Sequence, residues 1–306
     1  MLGNFADRLC EAIRDRGTPT CVGFDPVYER LPADIRDRHE NQRERTPAAE
    51  VDAILEFGGG VISAVAGLVP VMKINIAFFE VYGGHGFDAY SQLVEKAREG
   101  GLLVIGDVKR ADIGHSTAAY ARGQLAGDAR ADAVTVSPYL GLDGLRPFLD
   151  VCRDQGKGIF SLVQTSNEAA RDVQDVKLES GETVAAHVGR LVNDWAGDAA
   201  LMGDCGYSAL GAVVSPRDVA GADTLRSILS RCLFLVPGYG AQGQSAERVR
   251  HCFKEDGSGA IVNSSRGVIY AFDNDRYTAA AETGWQHCVT AACRDFIDDI
   301  NGVLNR

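Results

Sequence analysis

Gly101-Leu-Leu-Val-Ile-Gly-Asp-Val-Lys-Arg-Ala-Asp-Ile-Gly-His-Ser116 is the stretch whose reading decides the fold. Its apolar run, 102–109, has the length and β-branched content of a strand, and 113–126 continues as an amphipathic helix. Working outward in both directions, the same strand-then-helix unit recurs at intervals of roughly 30 residues. Strands are expected at 20–25, 71–75, 102–109, 133–139, 158–165, 211–215, 232–238 and 259–264. Helices are expected at 51–68, 88–99, 113–126, 145–155, 183–198, 223–230, 245–255 and 277–301, with an additional N-terminal helix at about 4–16. Eight such units fit an α/β fold of the closed (β/α)8 type, a TIM barrel, better than an open doubly wound sheet, which has fewer strands and a switch point. No linker divides residues 1–306, so a single domain is expected, with 26–50 as an inserted surface loop after strand one.

The chain has 306 residues, 45% hydrophobic and 24% charged, which excludes disordered, fibrous and membrane-embedded classes. A net charge of −11 repels polyanions over most of the surface. Nucleic acid and anionic membranes are therefore not expected partners, and an anionic ligand would need a local cationic pocket. No apolar run approaches the roughly 20 residues that span a bilayer. The N-terminal MLGNFADRLCEAIRDR lacks the uncharged core of a signal peptide, and a cytoplasmic location is expected. The eight cysteines are scattered without a CxxC pair and read as reduced core thiols.

In such barrels chemistry gathers at the C-terminal ends of the strands. Here those ends carry Asp25, Lys73, Asp107 with Lys109, Ser166, and Asn263-Ser-Ser-Arg266. Asp107 and Lys109 are two apart on one strand, so both side chains leave the same face and can reach one ligand. Lys73, inside the apolar run VMKINIAFF, needs carboxylate partners, and Asp107 and Asp112 are the candidates. Any one of these charges alone reads as a structural ion pair. Four of them at strand ends point to chemistry instead. Asp112 lies beyond the strand, where its carboxylate reaches either across the mouth or towards a neighbouring subunit.

Gly238-Tyr-Gly-Ala-Gln-Gly243 matches GxGxxG, but the acidic ribose-binding residue of a dinucleotide site is missing about 20 positions on. A phosphate site between the loops after strands seven and eight accounts for both loops. Gly240 and Gly243 would let the backbone approach the anion, Gln242 would donate its amide, and Arg266 would clamp it. No Walker A, HExxH, GxSxG or EF-hand pattern occurs, and the six histidines show no paired metal spacing. Neither a metal nor a cofactor is expected.

The motif GDVKRADIG resembles the DxKxxD signature of the orotidine 5′-monophosphate decarboxylases, in their longer bacterial form. VGFDP (22–26), MKIN (72–75), VSPYLG (136–141), QTSN (164–167), PGYGAQG (237–243) and NSSRG (263–267) follow in the family's order. DxKxxD alone is shared with related sugar-phosphate decarboxylases and synthases, which recruit a divalent metal; the further motifs favour a nucleotide. A non-catalytic nucleotide-binding homologue is the alternative from another class. The resemblance implies cofactor-independent loss of CO2 from orotidine 5′-monophosphate in pyrimidine biosynthesis, by a homodimer with shared active sites. It further implies that Lys73, Asp107, Lys109 and Asp112 form a charge network, Asp112 coming from the partner subunit, and that Lys109 protonates C6. Asp25 would lie by the ribose, Ser166 by the base, and Gln242 and Arg266 on the phosphate. Ser116 stands where the family usually places a ribose-contacting Thr, with Thr117 adjacent as the other candidate.

Overall fold

The computed structural model describes residues 3–42, 45–127, 130–240 and 245–305. Strands β1 (Thr20–Phe24), β2 (Val71–Asn75), β3 (Leu103–Arg110), β4 (Ala133–Val136), β5 (Gly158–Gln164), β6 (Ser208–Val214), β7 (Cys232–Val236) and β8 (Ala260–Ser264) pair in chain order, and β8 closes on β1. Every pair is parallel, as helical crossovers require. The apolar runs are continuous because both faces of each strand are covered: β1, β4, β6, β7 and β8 are buried throughout.

Helix α1 (Phe5–Arg16) starts on Asn4, whose side chain accepts the Ala6 N–H, and ends at Gly17 in a left-handed turn. Its Phe5, Ala6, Leu9 and Ile13 pack into one cluster with Cys21, Val71, Ile105, Ala133, Phe160, Leu233 and Ile261, so the helix plugs the N-terminal end of the barrel. Phe5 meets Phe160 edge to face at 6.0 Å. Gly158 makes that approach possible, since a Cβ there would lie 2.2 Å from the Phe5 ring. A polar clip backs the plug. Asp132, 1% exposed, accepts from Arg8 at 2.8 Å and from the Val104 N–H at 3.0 Å, with Arg98 at 3.5 Å. Asp132→Ala leaves these donors unpaired and is expected to cost about 3–5 kcal/mol of stability, read from the urea midpoint. A loss under about 1 kcal/mol would mean that water replaces the carboxylate.

The segment 26–50 is not the expected surface loop. It forms a 3-10 turn (Tyr28–Arg30), helix α2 (Ala33–Gln42) and the start of α3 (Pro47–Val65), which is capped by Thr46. Tyr28, Leu31 and Ile35 are buried in the main core among its many charges. They come from three successive pieces of backbone, the 3-10 turn, the extended residue that ends it and α2, and all three turn inward. Tyr270 ties this segment to the mouth, accepting from the Val27 N–H at 2.7 Å and donating to the Asp25 carbonyl at 3.2 Å. The C-terminal helix is also interrupted. Thr278–Ala281 and Trp285–Leu304 flank Gly284, whose φ of +121° breaks the expected single helix, and 245–255 shortens to Ala246–Arg250. Among the described residues no helix is long and apolar enough to cross a membrane.

Candidate active site

The C-terminal ends of the strands surround a cavity of about 420 Å³. Its charged centre is built by an irregularity in β3. Gly106 pairs with Val134 and Arg110 with Val136, so four steps along β3 match two along β4, and the excess bulges into the mouth. Lys109 adopts φ +45°, a left-handed conformation that few non-glycine residues hold without support. Thr135 supplies it. Its Oγ1 accepts the N–H groups of Val108 and Lys109, each at 3.0 Å, and its hydroxyl donates to Asp107 Oδ1 at 2.9 Å. One buried hydroxyl thus satisfies the bulge and aims the carboxylate.

Asp107 is held between two ammonium groups, Lys73 on Oδ2 at 2.8 Å and Lys109 on Oδ1 at 2.5 Å. Burial alone would raise the Asp107 pKa, but Lys73 and Lys109 outweigh it and hold the carboxyl well below its ordinary range. Burial would likewise discharge Lys73. The carboxylates of Asp107 and Asp25 reverse this and hold the ammonium above its usual value. Both groups therefore stay ionised through the neutral range. The second partner of Lys73 is Asp25, at 3.8 Å, and not Asp112. That oxygen, Asp25 Oδ1, is buried and makes no hydrogen bond among the described residues, so beyond its ion pair with Lys73 it keeps accepting capacity at the cavity wall. On the same wall Gly23 leaves room for Ser265 and Asn263, because a Cβ there would lie 1.9 Å from Ser265 Oγ.

Of the residues singled out from sequence, Asp25, Lys73, Asp107, Lys109, Ser166 and Arg266 line this one cavity. Arg266 stands exposed after β8 with no carboxylate partner among the described residues. Gly238, also lining it, and Gly240 hold left-handed backbone at φ +87° and +74°. Gln242 and Gly243 lie outside the described residues. Asp112 and Ser116 do not line the cavity of their own chain. Asp112 accepts the Ile113 N–H at 2.8 Å, and Ser116 faces solvent. Thr117 is buried and donates to the Gly144 carbonyl at 2.9 Å, so between the two neighbours only Ser116 is free to meet a ligand. Sequence reasoning did not single out Thr135, and it met the lining residues Asn75, Asn263 and Ser265 only as parts of polar strand ends, with no role given to them. The last three had a visible signal, polarity at the end of an apolar strand. Among the described residues no group of three His, Cys, Asp or Glu side chains gathers as a metal site.

A closed parallel barrel whose mouth holds the Asp107 carboxylate between two lysines, in one cavity with an arginine that has no carboxylate partner among the described residues, has the make-up of a barrel enzyme for an anionic substrate. The orotidine 5′-phosphate decarboxylase / HUMPS family pattern matches residues 50–281. The chain is 40% identical to the orotidine 5′-phosphate decarboxylase of Rhodopirellula baltica over 97% of this chain and 99% of that one. It is 36% identical to the Clostridium tetani enzyme of the same name, over 87% and 88%. The solved structure of Leishmania donovani OMP decarboxylase superimposes with a TM-score of 0.75 at 28% identity, covering 99% of this chain and all of that one. This chain belongs to the orotidine 5′-phosphate decarboxylase / HUMPS family.

Proposed function

We propose that this chain decarboxylates orotidine 5′-monophosphate to uridine 5′-monophosphate in pyrimidine biosynthesis, without a cofactor, as a cytoplasmic homodimer. The observation that carries the reading is the Lys73–Asp107–Lys109 triplet in one cavity with Arg266, together with relatives that bear this enzyme's name. Losing CO2 from C6 leaves a vinylic carbanion with little resonance relief. An ammonium fixed beside C6 stabilises the developing charge and then delivers the proton, and Lys109 fits that role because its side chain is half open to the cavity. At ~4 Å and an effective dielectric of ~20, one such pair contributes about 4 kcal/mol, roughly three decades of rate. Remote binding of the phosphate and ribose must supply more. In this reading Arg266 holds the phosphate, the Asp25 oxygen that makes no hydrogen bond accepts from a ribose hydroxyl, and Ser166 meets the base. Exposed Ile113, Tyr120, Tyr139 and Leu140 near Asp112 support a dimer face beside the mouth.

The direct test is loss of orotate absorbance when purified protein meets orotidine 5′-monophosphate, with and without chelator. No turnover, or turnover only with a divalent metal, sinks the proposal. Arg266→Ala is expected to lower kcat/KM by about 3 kcal/mol, roughly two decades, for the phosphorylated substrate and hardly at all for orotidine. Equal losses on both would place Arg266 outside the phosphate site. Thr135→Val removes the donor to Asp107 and leaves two N–H groups unpaired; kcat is expected to fall by about one to two decades, with Thr135→Ser restoring it. Wild-type kcat in Thr135→Val would show that the hydroxyl does not aim the carboxylate.

A further inference from the structure

We propose that Cys10 and Cys205 form a reversible disulfide that fastens the α1 plug to the loop preceding β6. Six of the eight cysteines are buried; Cys10 and Cys205 are the two with solvent access, and both line a second cavity at the closed end of the barrel. Their meeting is built by neighbouring contacts. Asp7, one helical turn before Cys10 and on the same face, accepts the Cys205 N–H at 2.7 Å and the Asp204 N–H at 3.1 Å. Gly203 admits this clamp, since a Cβ there would lie 2.5 Å from Asp7 Oδ1. Asn4 adds a bond to the Leu201 carbonyl at 2.8 Å. The loop is thus pinned to α1 over the turn that leads into Cys10, and the two side chains meet in the cavity that both line.

The two thiols are unequal. The neighbouring Cys205 thiol, with the positive charge of Arg14 and Lys254, outweighs burial and the nearby Asp7 and holds the Cys10 thiol below its ordinary range. Its hydrogen bond to Cys10, then burial, push Cys205 up. Arg14, one helical turn beyond Cys10 and lining the same cavity, places a cation beside that sulfur and makes Cys10 the attacking group. Its thiolate attacks a low-molecular-weight disulfide, forming a mixed disulfide and expelling one thiolate. Cys205 then loses its proton and attacks Cys10 Sγ, expelling the second thiolate. The protein gives up two electrons and two protons, and one external disulfide becomes two thiols. Neither sulfur lines the mouth cavity, so the link acts on attachment of the plug and not on the catalytic groups.

The test exposes the full chain to excess oxidised glutathione, then reads intact mass and a non-reducing peptide map. The expected product has lost the mass of two hydrogens, carries one crosslink between the Cys10 and Cys205 peptides, and reverts with dithiothreitol. Cys205→Ser should instead accumulate a glutathione adduct on Cys10, and Cys10→Ser should give neither product. Both variants should keep orotidylate turnover, which verifies folding. The oxidised native chain should melt several degrees higher than the reduced one, because the crosslink restricts the unfolded chain. A native chain that gains no intramolecular crosslink, or one that links other cysteines or two chains, overturns the proposal.

Discussion

Lys109→Ala is expected to lower kcat for orotidine 5′-monophosphate by about three decades or more while leaving the barrel folded. The side chain is half exposed and fills no core space, so its removal opens no cavity. Alanine keeps the Cβ that Lys109 already places in the left-handed region, so the bulge gains no strain. Asp107 retains Lys73 at 2.8 Å and the Thr135 hydroxyl at 2.9 Å, so it is not left as an unpaired buried charge. The variant should therefore bind uridylate, measured by calorimetry, and release almost no CO2. Retention of more than about a tenth of wild-type kcat, a loss below 1.4 kcal/mol, would show that the proton comes from elsewhere.

The sequence disclosed the elements whose signal is local. All eight strands were legible because short apolar runs rich in Val, Ile and Leu, bounded by glycine or charge, mark strands buried on both faces. Segment 26–50 was not, because its numerous charges hide three apolar residues, Tyr28, Leu31 and Ile35, which lie on different short elements, share no period and are gathered only by packing into the core. The same division runs through the site. Lys73, Asp107 and Arg266 announce themselves as charges at the ends of apolar strands. Thr135 does not, since a threonine in Ala133–Val136 is an ordinary strand residue. Its importance arises from the register shift of the neighbouring strand, a property of two segments 27 residues apart in the chain. Asp107 was rightly expected beside Lys73, but the lysine's second partner was misjudged for a related reason. Asp112 is nearer in sequence to Asp107, but β1 and β2 are adjacent in the barrel and bring Asp25 to the lysine.

Asp112 poses the remaining question, because its own chain gives it no place in the cavity. Its carboxylate caps the Ile113 N–H, and its backbone packs beside Gly144 at the start of the next barrel helix. Ile113, Tyr139 and Leu140 stand exposed around it. If this face meets a second copy across a two-fold axis, Asp112 enters the neighbouring mouth and each site draws Lys109 from one chain and Asp112 from the other. Mixing the inactive variants Lys109→Ala and Asp112→Ala under conditions of subunit exchange should then restore activity. In a heterodimer, the chain that lacks Asp112 keeps Lys109 and receives an intact Asp112 from its partner, whereas the other site carries both defects. With statistical exchange half the dimers are mixed and half their sites are whole, so activity should approach about a quarter of wild type. If mass spectrometry verifies exchange and the mixture stays as inactive as its components, Asp112 works within its own chain, and the shared site is wrong.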